Sequence, residues 1–299
     1  MSFRPFSDTR LKRLKIWAVG VVLHALPMPW KLACFRWFFR RRCSRPRTFF
    51  ERLHWNLLQR YDERLVKTSD KIGVRDYVAS KVGSKYLTKI YGVYESAKQI
   101  PFSTLPEKYV LKANHGSGWN VFVRSKRQVQ ENEIRKKCDE WLKQVYSGYA
   151  EWWYGGIPAK LFAEEFLEDA ERGIPNDYKF FVFRGQVGLV QVDTARFTDH
   201  RRNLYDPDWT PLESTLLYPR GTEIPRPAAY DEMKRVAEKL GEEFDFVRVD
   251  LYSVEGRVIF GEMTYFPECG AASFSSRELD AQMAHHLEQA IARGRASAR

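Results

Sequence analysis

Through the middle and last thirds of the chain, apolar and polar residues alternate in short runs separated by glycines. This is the period-two signature of strands. Residues 109–112 and 121–123 read as two strands joined by a glycine-containing loop. Residues 159–167 and 178–183 read as strands, and 188–193 follows as another after the turn at Arg184-Gly185. Residues 246–252 and 257–264 form a hairpin through Glu255-Gly256. Elsewhere the apolar positions recur at helical spacing. Phe50, Leu53, Leu57 and Leu58 share a helix face, and Ser69-Asp70 is placed to cap a helix that starts near Lys71 and runs through Val74, Tyr77 and Val78. Residues 131–149, 228–240 and 278–292 read as further helices.

The first 48 residues follow neither pattern. Lys12, Arg13 and Lys15 precede an apolar run over 16–28, and Trp30, Phe35, Trp37, Phe38 and Phe39 then lead into Arg40-Arg41-Arg42. The run is shorter than the ~20 residues needed to span a bilayer. It is interrupted by His24, Pro27 and Pro29, and no clear small-residue cleavage site follows. Charge sharpens the picture. The 299-residue chain has a formal net charge of +11, and the first 50 residues hold twelve basic residues against one acid, Asp8. The remainder carries equal numbers of both signs, so the basic character belongs to an N-terminal appendage. A neutral body without a nucleic-acid motif predicts no nucleic-acid partner. Aromatics mixed with Arg and Lys suit a helix lying on an anionic membrane surface, and the alternative is a basic helix packed on the body. With 44% hydrophobic and 29% charged residues, the chain as a whole is globular. Cys34, Cys43, Cys138 and Cys269 lack metal-ligand spacing and read as reduced thiols of a cytoplasmic protein.

Three stretches carry candidate chemistry. Along 247–252, Arg248, Asp250 and Tyr252 share one strand face, and Glu262 and Thr264 share a face of the following strand. If register brings Asp250 opposite Glu262, the two carboxylates suit a hard divalent cation that also holds substrate phosphates. Arg248 beside them is placed to neutralise a transferring phosphate. Ordinary cross-strand ion pairs are the alternative. In the second stretch, Lys112 ends a strand and His115-Gly116-Ser117-Gly118 forms the loop after it. Glycines let backbone N–H groups approach phosphates and a lysine adds a point charge, although the same glycines also serve a plain turn. The spacing is neither a P-loop nor a Rossmann fingerprint. In the third stretch, an apolar strand ends in Glu164-Glu165, able to meet adenine and ribose, and Lys179 on the next strand can reach phosphate.

The order of these pieces resembles an ATP-grasp protein, and more narrowly the TupA-like ATP-grasp family of teichuronopeptide and surface-polysaccharide biosynthesis. The matching blocks are Asp70-Lys71 with Val74-Arg75-Asp76-Tyr77-Val78, Val110 to Gly118, Asp177 to Phe181, Gln191 to Phe197, and Phe246 to Tyr252 through Gly261 to Thr264. They cover roughly residues 50–285. The resemblance implies an ATP-grasp fold of two α+β lobes enclosing ATP, an acyl-phosphate intermediate and amide formation. It assigns Lys112, Lys179 and the loop His115, Gly116, Ser117 and Gly118 to ATP phosphates, and Glu164 and Glu165 to the adenine and ribose. It assigns Asp250 and Glu262 to Mg2+, and Arg248 to the transferred phosphate. Thr264 stands where many ATP-grasp enzymes carry Asn, a stronger metal ligand. Arg196, His200, Arg201, Arg202 and Asn203 read as a basic loop, with Arg196 and Asn203 the candidates on the γ-phosphate and acceptor side.

The expected organisation is a basic extension (1–48), a helical/α+β region (49–105), an ATP-grasp lid (106–170) and a catalytic subdomain (171–299). The expected function is a carboxylate–amine ligase acting on a carboxylate-bearing sugar or polysaccharide precursor and an amine donor. It would work in the cytoplasm, peripherally on the inner face of the membrane. The alternatives are a phosphotransferase acting on a sugar hydroxyl and a non-catalytic module associated with a glycosyltransferase. Replacing Asp250 or Glu262 by its amide is expected to abolish turnover and leave the fold intact. The extension has its own test. Each basic residue near an anionic surface contributes about 1 kcal/mol, so deleting residues 1–48 is expected to release the protein from anionic liposomes in flotation, and salt to weaken the attachment of the full chain. A full chain that ignores liposomes contradicts the membrane role.

Overall fold

The computed structural model describes residues 46–296, apart from 60–61, 145, 147–150, 170–172, 197 and 271. The membrane-surface reading of the extension therefore lies outside the described residues. Among the described residues, no helix is long and apolar enough to cross a membrane.

Two antiparallel sheets organise the chain. The first contains β1 (Ile90–Tyr94), β2 (Tyr109–Ala113), β3 (Asn120–Val123) and β4 (Leu161–Glu165), in the order β1-β4-β2-β3. Strand alternation splits its residues cleanly. Tyr109, Leu111, Ala113, Leu161 and Ala163 are buried in one apolar cluster with Ile134 and Cys138 of helix α4 (Glu131–Lys143). Burial pushes the Cys138 thiol up to about 12, consistent with an inert, reduced cysteine. The register places Val110 opposite Glu164 and Phe122, and Lys112 opposite Phe162 and Asn120, so these residues occupy the other face.

The second sheet contains β5 (Asp177–Phe183), β6 (Gln186–Thr194), β7 (Arg201–Tyr205), β8 (Val247–Val254) and β9 (Arg257–Thr264), in the order β7-β6-β5-β8-β9. Central β5 is buried along its whole length. Helix α5 (Tyr230–Gly241) covers the Phe180 and Val182 face. It sits so close that a Cβ on Gly241 would lie 2.4 Å from Val182 Cγ1. The opposite face is shared along its length. Phe181 and Phe183 pack under helix α1 (Phe49–Gln59), where the Phe49 ring lies 6.4 Å from Phe181, 5.9 Å from Phe183 and 5.3 Å from Phe246. Helix α6 (Arg277–Ala296) backs α1, with Asp280 accepting from the Phe49 N–H. Asp177 and Lys179, on the same face but beyond these helices, are left for a cavity. Short helices α2 (Arg64–Ser69) and α3 (Val74–Lys81) complete the N-terminal region.

The structure differs from the sequence reading at four places, the first being that Ile90–Tyr94, in a region read as mostly helical, is strand β1. The helix expected over 131–149 ends at Lys143, with Gln144 as C-cap. Ser69-Asp70 caps no helix: Ser69 ends α2, Asp70 Oδ1 accepts from the Ile72 N–H at 2.9 Å, and α3 starts at Val74. The stretch read as a basic loop contains strand β7, paired with β6 from Val190↔Tyr205 to Thr194↔Arg201.

Phe49 is fully buried and Val93 on edge strand β1 is 44% exposed. Phe49→Ala is expected to lower unfolding free energy by about 3–5 kcal/mol, and Val93→Ala by about 0.5 kcal/mol or less, read by urea unfolding. Equal losses would contradict the assignment of the core.

Candidate active site

The polar half of the second sheet is a layer of charges that the register brings together. Lys179 lies opposite Asp250 and Gln191, Asp177 opposite Tyr252 and Asp193, and Asp250 opposite Glu262. All therefore project from one face, as the sequence alternation expected for Arg248, Asp250 and Glu262. The Lys179 ammonium donates to Asp177 at 2.6 Å and to Asp250, with only 4% of the residue exposed. Arg248 grips Asp250 with two bonds, Nε to Oδ1 at 2.7 Å and Nη2 to Oδ2 at 2.8 Å. It also donates to the Thr264 hydroxyl at 3.2 Å and lies 3.5 Å from Glu262. The Thr264 hydroxyl in turn donates to Glu262 at 3.3 Å. Arg196, on the loop after β6, reaches back to Asp177 Oδ2 at 2.5 Å. Asp177 Oδ1 is buried with no partner among the described residues.

Electrostatics follow from this packing. Burial raises the Asp250 carboxyl above its usual range, against the pull of Arg248 and Lys179. Burial also acts to raise Glu262, but Lys71, Arg248, Lys179 and Arg196 outweigh it and hold the carboxyl at about 2. The Arg196 guanidinium is held above its usual range: desolvation opposes this, and Asp177 and its neighbours prevail.

A cavity of about 370 Å3 separates this face from the first sheet. Lys112, Glu164, Val110, Phe122 and Phe162 line it from the first sheet, and Lys179, Asp177, Asp250, Tyr252 and Glu262 from the second. Lys112 is paired with Glu164, which also accepts from Thr88 at 2.8 Å. Glu165 lines the cavity at the end of β4. Gly261 stands at a bulge between β8 and β9, where a Cβ would crowd the Asp250 carbonyl oxygen at 3.0 Å.

Ser117 and Gly118 line the cavity from the loop between β2 and β3, where Gly118 has φ +75°. Gly116 is packed beneath Trp119, with a hypothetical Cβ 2.5 Å from the ring. His115 is not on the cavity. Its Nε2 lies 3.1 and 3.3 Å from the carbonyls of Trp141 and Gln144, at the C-terminal end of α4. With Nε2 carrying the proton, His115 ties the loop to a helix end, which corrects its assignment to phosphate. Asn203 is likewise corrected. It lies opposite Val192 on β7, on the face away from the charge layer, and its amide accepts from Gly221 N at 3.0 Å and donates to the Thr222 carbonyl at 2.8 Å. Arg202 is consumed by Asp193, at 2.6 and 2.9 Å, and by Glu268 at 2.9 Å. Of the basic stretch, Arg196 is the residue that lines the cavity. The sequence reading assigned no role to Asp177, Lys71, Arg75 or Thr88, all of which line it. The signal for Asp177 was its period-two spacing from Lys179.

Asp250, Glu262 and the Thr264 hydroxyl offer hard oxygen donors suited to Mg2+. Among the described residues no three His, Cys, Asp or Glu side chains are arranged to hold a metal by themselves. Two carboxylates fit a cation that completes its shell with phosphate oxygens and water.

Two antiparallel sheets enclosing a cavity rimmed by paired lysines and carboxylates define an α+β protein of the ATP-grasp fold. A family profile described as TupA-like ATPgrasp matches residues 51–288, and the chain belongs to that family. No curated protein matches the sequence. Solved structures similar to the chain include a D-alanine–D-alanine ligase from Bacillus anthracis, at 14% identity and TM-score 0.48 over 78% of this chain and 70% of that one. The D-alanyl-alanine synthetase A of Vibrio cholerae matches at 10% identity and TM-score 0.45, over 76% of this chain and 65% of that one. The ATP-grasp ligase PsnB, complexed with a minimal precursor, matches at 10% identity and TM-score 0.43. That match covers 77% of this chain, which spans 62% of the PsnB chain.

The structure separates two carboxylates that the sequence reading treated alike. Asp250→Asn leaves Arg248 and Lys179 buried without their shared partner, and is expected to cost about 3 kcal/mol of unfolding free energy. Glu262 is 37% exposed on its side chain, and Glu262→Gln is expected to cost about 1 kcal/mol or less. Equal destabilisation by the two would contradict the central place of Asp250.

Proposed function

We propose that the protein is an ATP- and magnesium-dependent carboxylate–amine ligase. The observation that carries this reading is the convergence of Lys112, Lys179, Asp250 and Glu262 from two separate sheets on one cavity. Its walls combine apolar side chains, Val110, Phe122, Phe162 and Leu167, with the charge layer. That mixture suits a nucleotide, with an apolar base and an anionic phosphate tail. The bound Mg2+ supplies neutralisation of phosphate charge.

Within this reading a carboxylate oxygen of the acceptor attacks the γ-phosphorus of ATP. A C–O–P linkage forms, the bond to the β-phosphate oxygen breaks, and ADP leaves. Lys179 stabilises charge on the transferring group, Arg248 acts from behind the cavity wall by holding Asp250 in place, and Arg196 is the cation at the acceptor side. An amine then attacks the acyl carbon, the bond to phosphate breaks, and an amide, inorganic phosphate and a proton result. The sequence blocks shared with surface-polysaccharide ATP-grasp proteins support a uronate or similar sugar carboxylate as acceptor, and a workplace on the inner face of the cytoplasmic membrane.

The test is a mass-spectrometric search with ATP, Mg2+, a panel of uronic acids and a panel of amines. The expected result is an amide product with ADP and phosphate in equal amounts, lost in Glu262→Gln. A stable phosphorylated sugar would replace the ligase by a phosphotransferase. No ATP consumption with any acceptor would favour a non-catalytic module.

A further inference from the structure

The cavity does not take in the whole charge layer. Along β6 and β7 the polar face continues past Lys179 and Asp177 to Gln191, Asp193 and Arg202, and none of these last residues lines the cavity. Arg202, 3% exposed, is the cation of this extension. It bonds both oxygens of Asp193, which also accept from the Gln191 amide at 3.1 and 3.2 Å. Asp193 is thereby saturated. The remaining Arg202 nitrogen, Nη1, donates to Glu268 Oε1 at 2.9 Å and to the Leu216 carbonyl at 3.1 Å. One guanidinium thus faces two carboxylates, and only that of Asp193 has both oxygens engaged. The second oxygen of Glu268 has no partner among the described residues, and the side chain is 22% exposed.

The backbone fixes where Glu268 stands. It belongs to the short turn Pro267–Gly270 after β9, and its φ of +55° is a left-handed conformation uncommon for a non-glycine residue. The chain beyond the turn is tied down, because Phe274 forms a bridge with Leu216 and the Ser275 N–H donates to the Thr215 carbonyl at 3.0 Å. Strands β9 and β7 are the two edges of the sheet, so the turn carries its carboxylate across the charged face from one edge to the other. It passes near Arg248: burial opposes the charge of that guanidinium, but Asp250, Glu262 and Glu268 prevail and raise it above its usual range.

These positions separate two tasks. On the reading above ATP fills the cavity, and the second substrate must reach the acyl phosphate from another side. Glu268 lies on the charge layer but outside the cavity lining. A single open carboxylate oxygen is no metal site, and among the described residues no three His, Cys, Asp or Glu side chains converge on one. Anchored by a buried arginine and reachable from solvent, it matches a positively charged group with N–H donors.

We propose that Glu268 binds the ammonium of the amine substrate. The proposal rests on the ligase reading and names the residue on its amine side. The ammonium docks on the open oxygen and gives that carboxylate one proton, which frees the nitrogen lone pair. The nitrogen then attacks the acyl carbon. The C–N bond forms, the C–O bond to phosphate breaks, and the second proton leaves the nitrogen for water. The carboxyl returns its own proton to water.

The test uses the full chain with ATP, Mg2+ and the uronate that turns over in the search above, near neutral pH. The nucleophile is either the amine of that pair, a cation under these conditions, or hydroxylamine, which is uncharged and traps an acyl phosphate as its hydroxamate. In Glu268→Gln the kcat/KM for the amine is expected to fall at least tenfold. The rate of hydroxamate formation and the KM for ATP are expected to change less than twofold, and the melting temperature to stay the same. Glu268→Asp, which keeps the charge, is expected to recover part of the loss. Equal losses with the two nucleophiles would show that Glu268 only braces Arg202, and would overturn the proposal. Unchanged use of the amine would also overturn it. A wild-type chain that forms hydroxamate with no uronate would instead contradict the ligase reading itself, and this proposal with it.

Discussion

The buried contact of the Lys179 ammonium with Asp177 and Asp250 conditions the rest of the structure. Removing three charges from water costs several kcal/mol per ion unless each finds partners. The sheet meets that requirement by alternation. Lys179 on β5 lies opposite Asp250 on β8, Asp177 sits two residues away on the same face, and Arg248 grips Asp250 from two residues along β8. A shift of one residue in any of these strands would turn the charges into the apolar layer under α5 and bring valines to the cavity. The ion cluster and the strand register are thus mutually dependent.

That dependence explains why one sheet face serves two purposes. Beyond Lys179, the same face continues as Phe181 and Phe183, closed by the aromatic residues of α1 and by α6. The apolar half supplies stability through burial. The charged half remains open to a cavity, and the first sheet closes it from the other side. Lys71 spans the two, bonded to the loop of one sheet and facing a carboxylate of the other. The cations therefore already stand at the cavity, and on the proposed reading a phosphate would exchange partners without building a new site. Such preorganisation is what favours charge stabilisation.

Much of this was legible in the sequence because strand parity is a strict rule. Alternation along 247–264 placed Arg248, Asp250 and Glu262 on one face, and the register bears out their meeting. The strands of both sheets were recognisable by the same rule to within a few residues, β1 and β7 excepted. What failed was what depends on tertiary partners. Arg201 to Tyr205 is mostly polar and looks like a loop, yet Arg202 enters a strand because Asp193 and Glu268 satisfy it. Once β7 is a strand, Asn203 must face away from the cavity. His115 follows a lysine and precedes a glycine loop, as a phosphate contact would, but its Nε2 faces the carbonyls at the end of α4. Nothing local to His115 announces where that helix stops. Lys71 fell in a recognised block, but its reach to Gly116 and Glu262 spans 45 and 191 positions, which no local pattern encodes.

The central claim is that one nucleotide occupies the cavity between the two sheets, with its phosphates on the charge layer. Hydrogen exchange followed by mass spectrometry, on the full chain with and without Mg2+ and AMPPNP, tests this directly. The account predicts slowed exchange confined to peptides covering 114–120, 161–167 and 177–179 together with 250–262, and only when metal and nucleotide are both present. Protection elsewhere with these segments unchanged, or no change anywhere at saturating nucleotide, would contradict it.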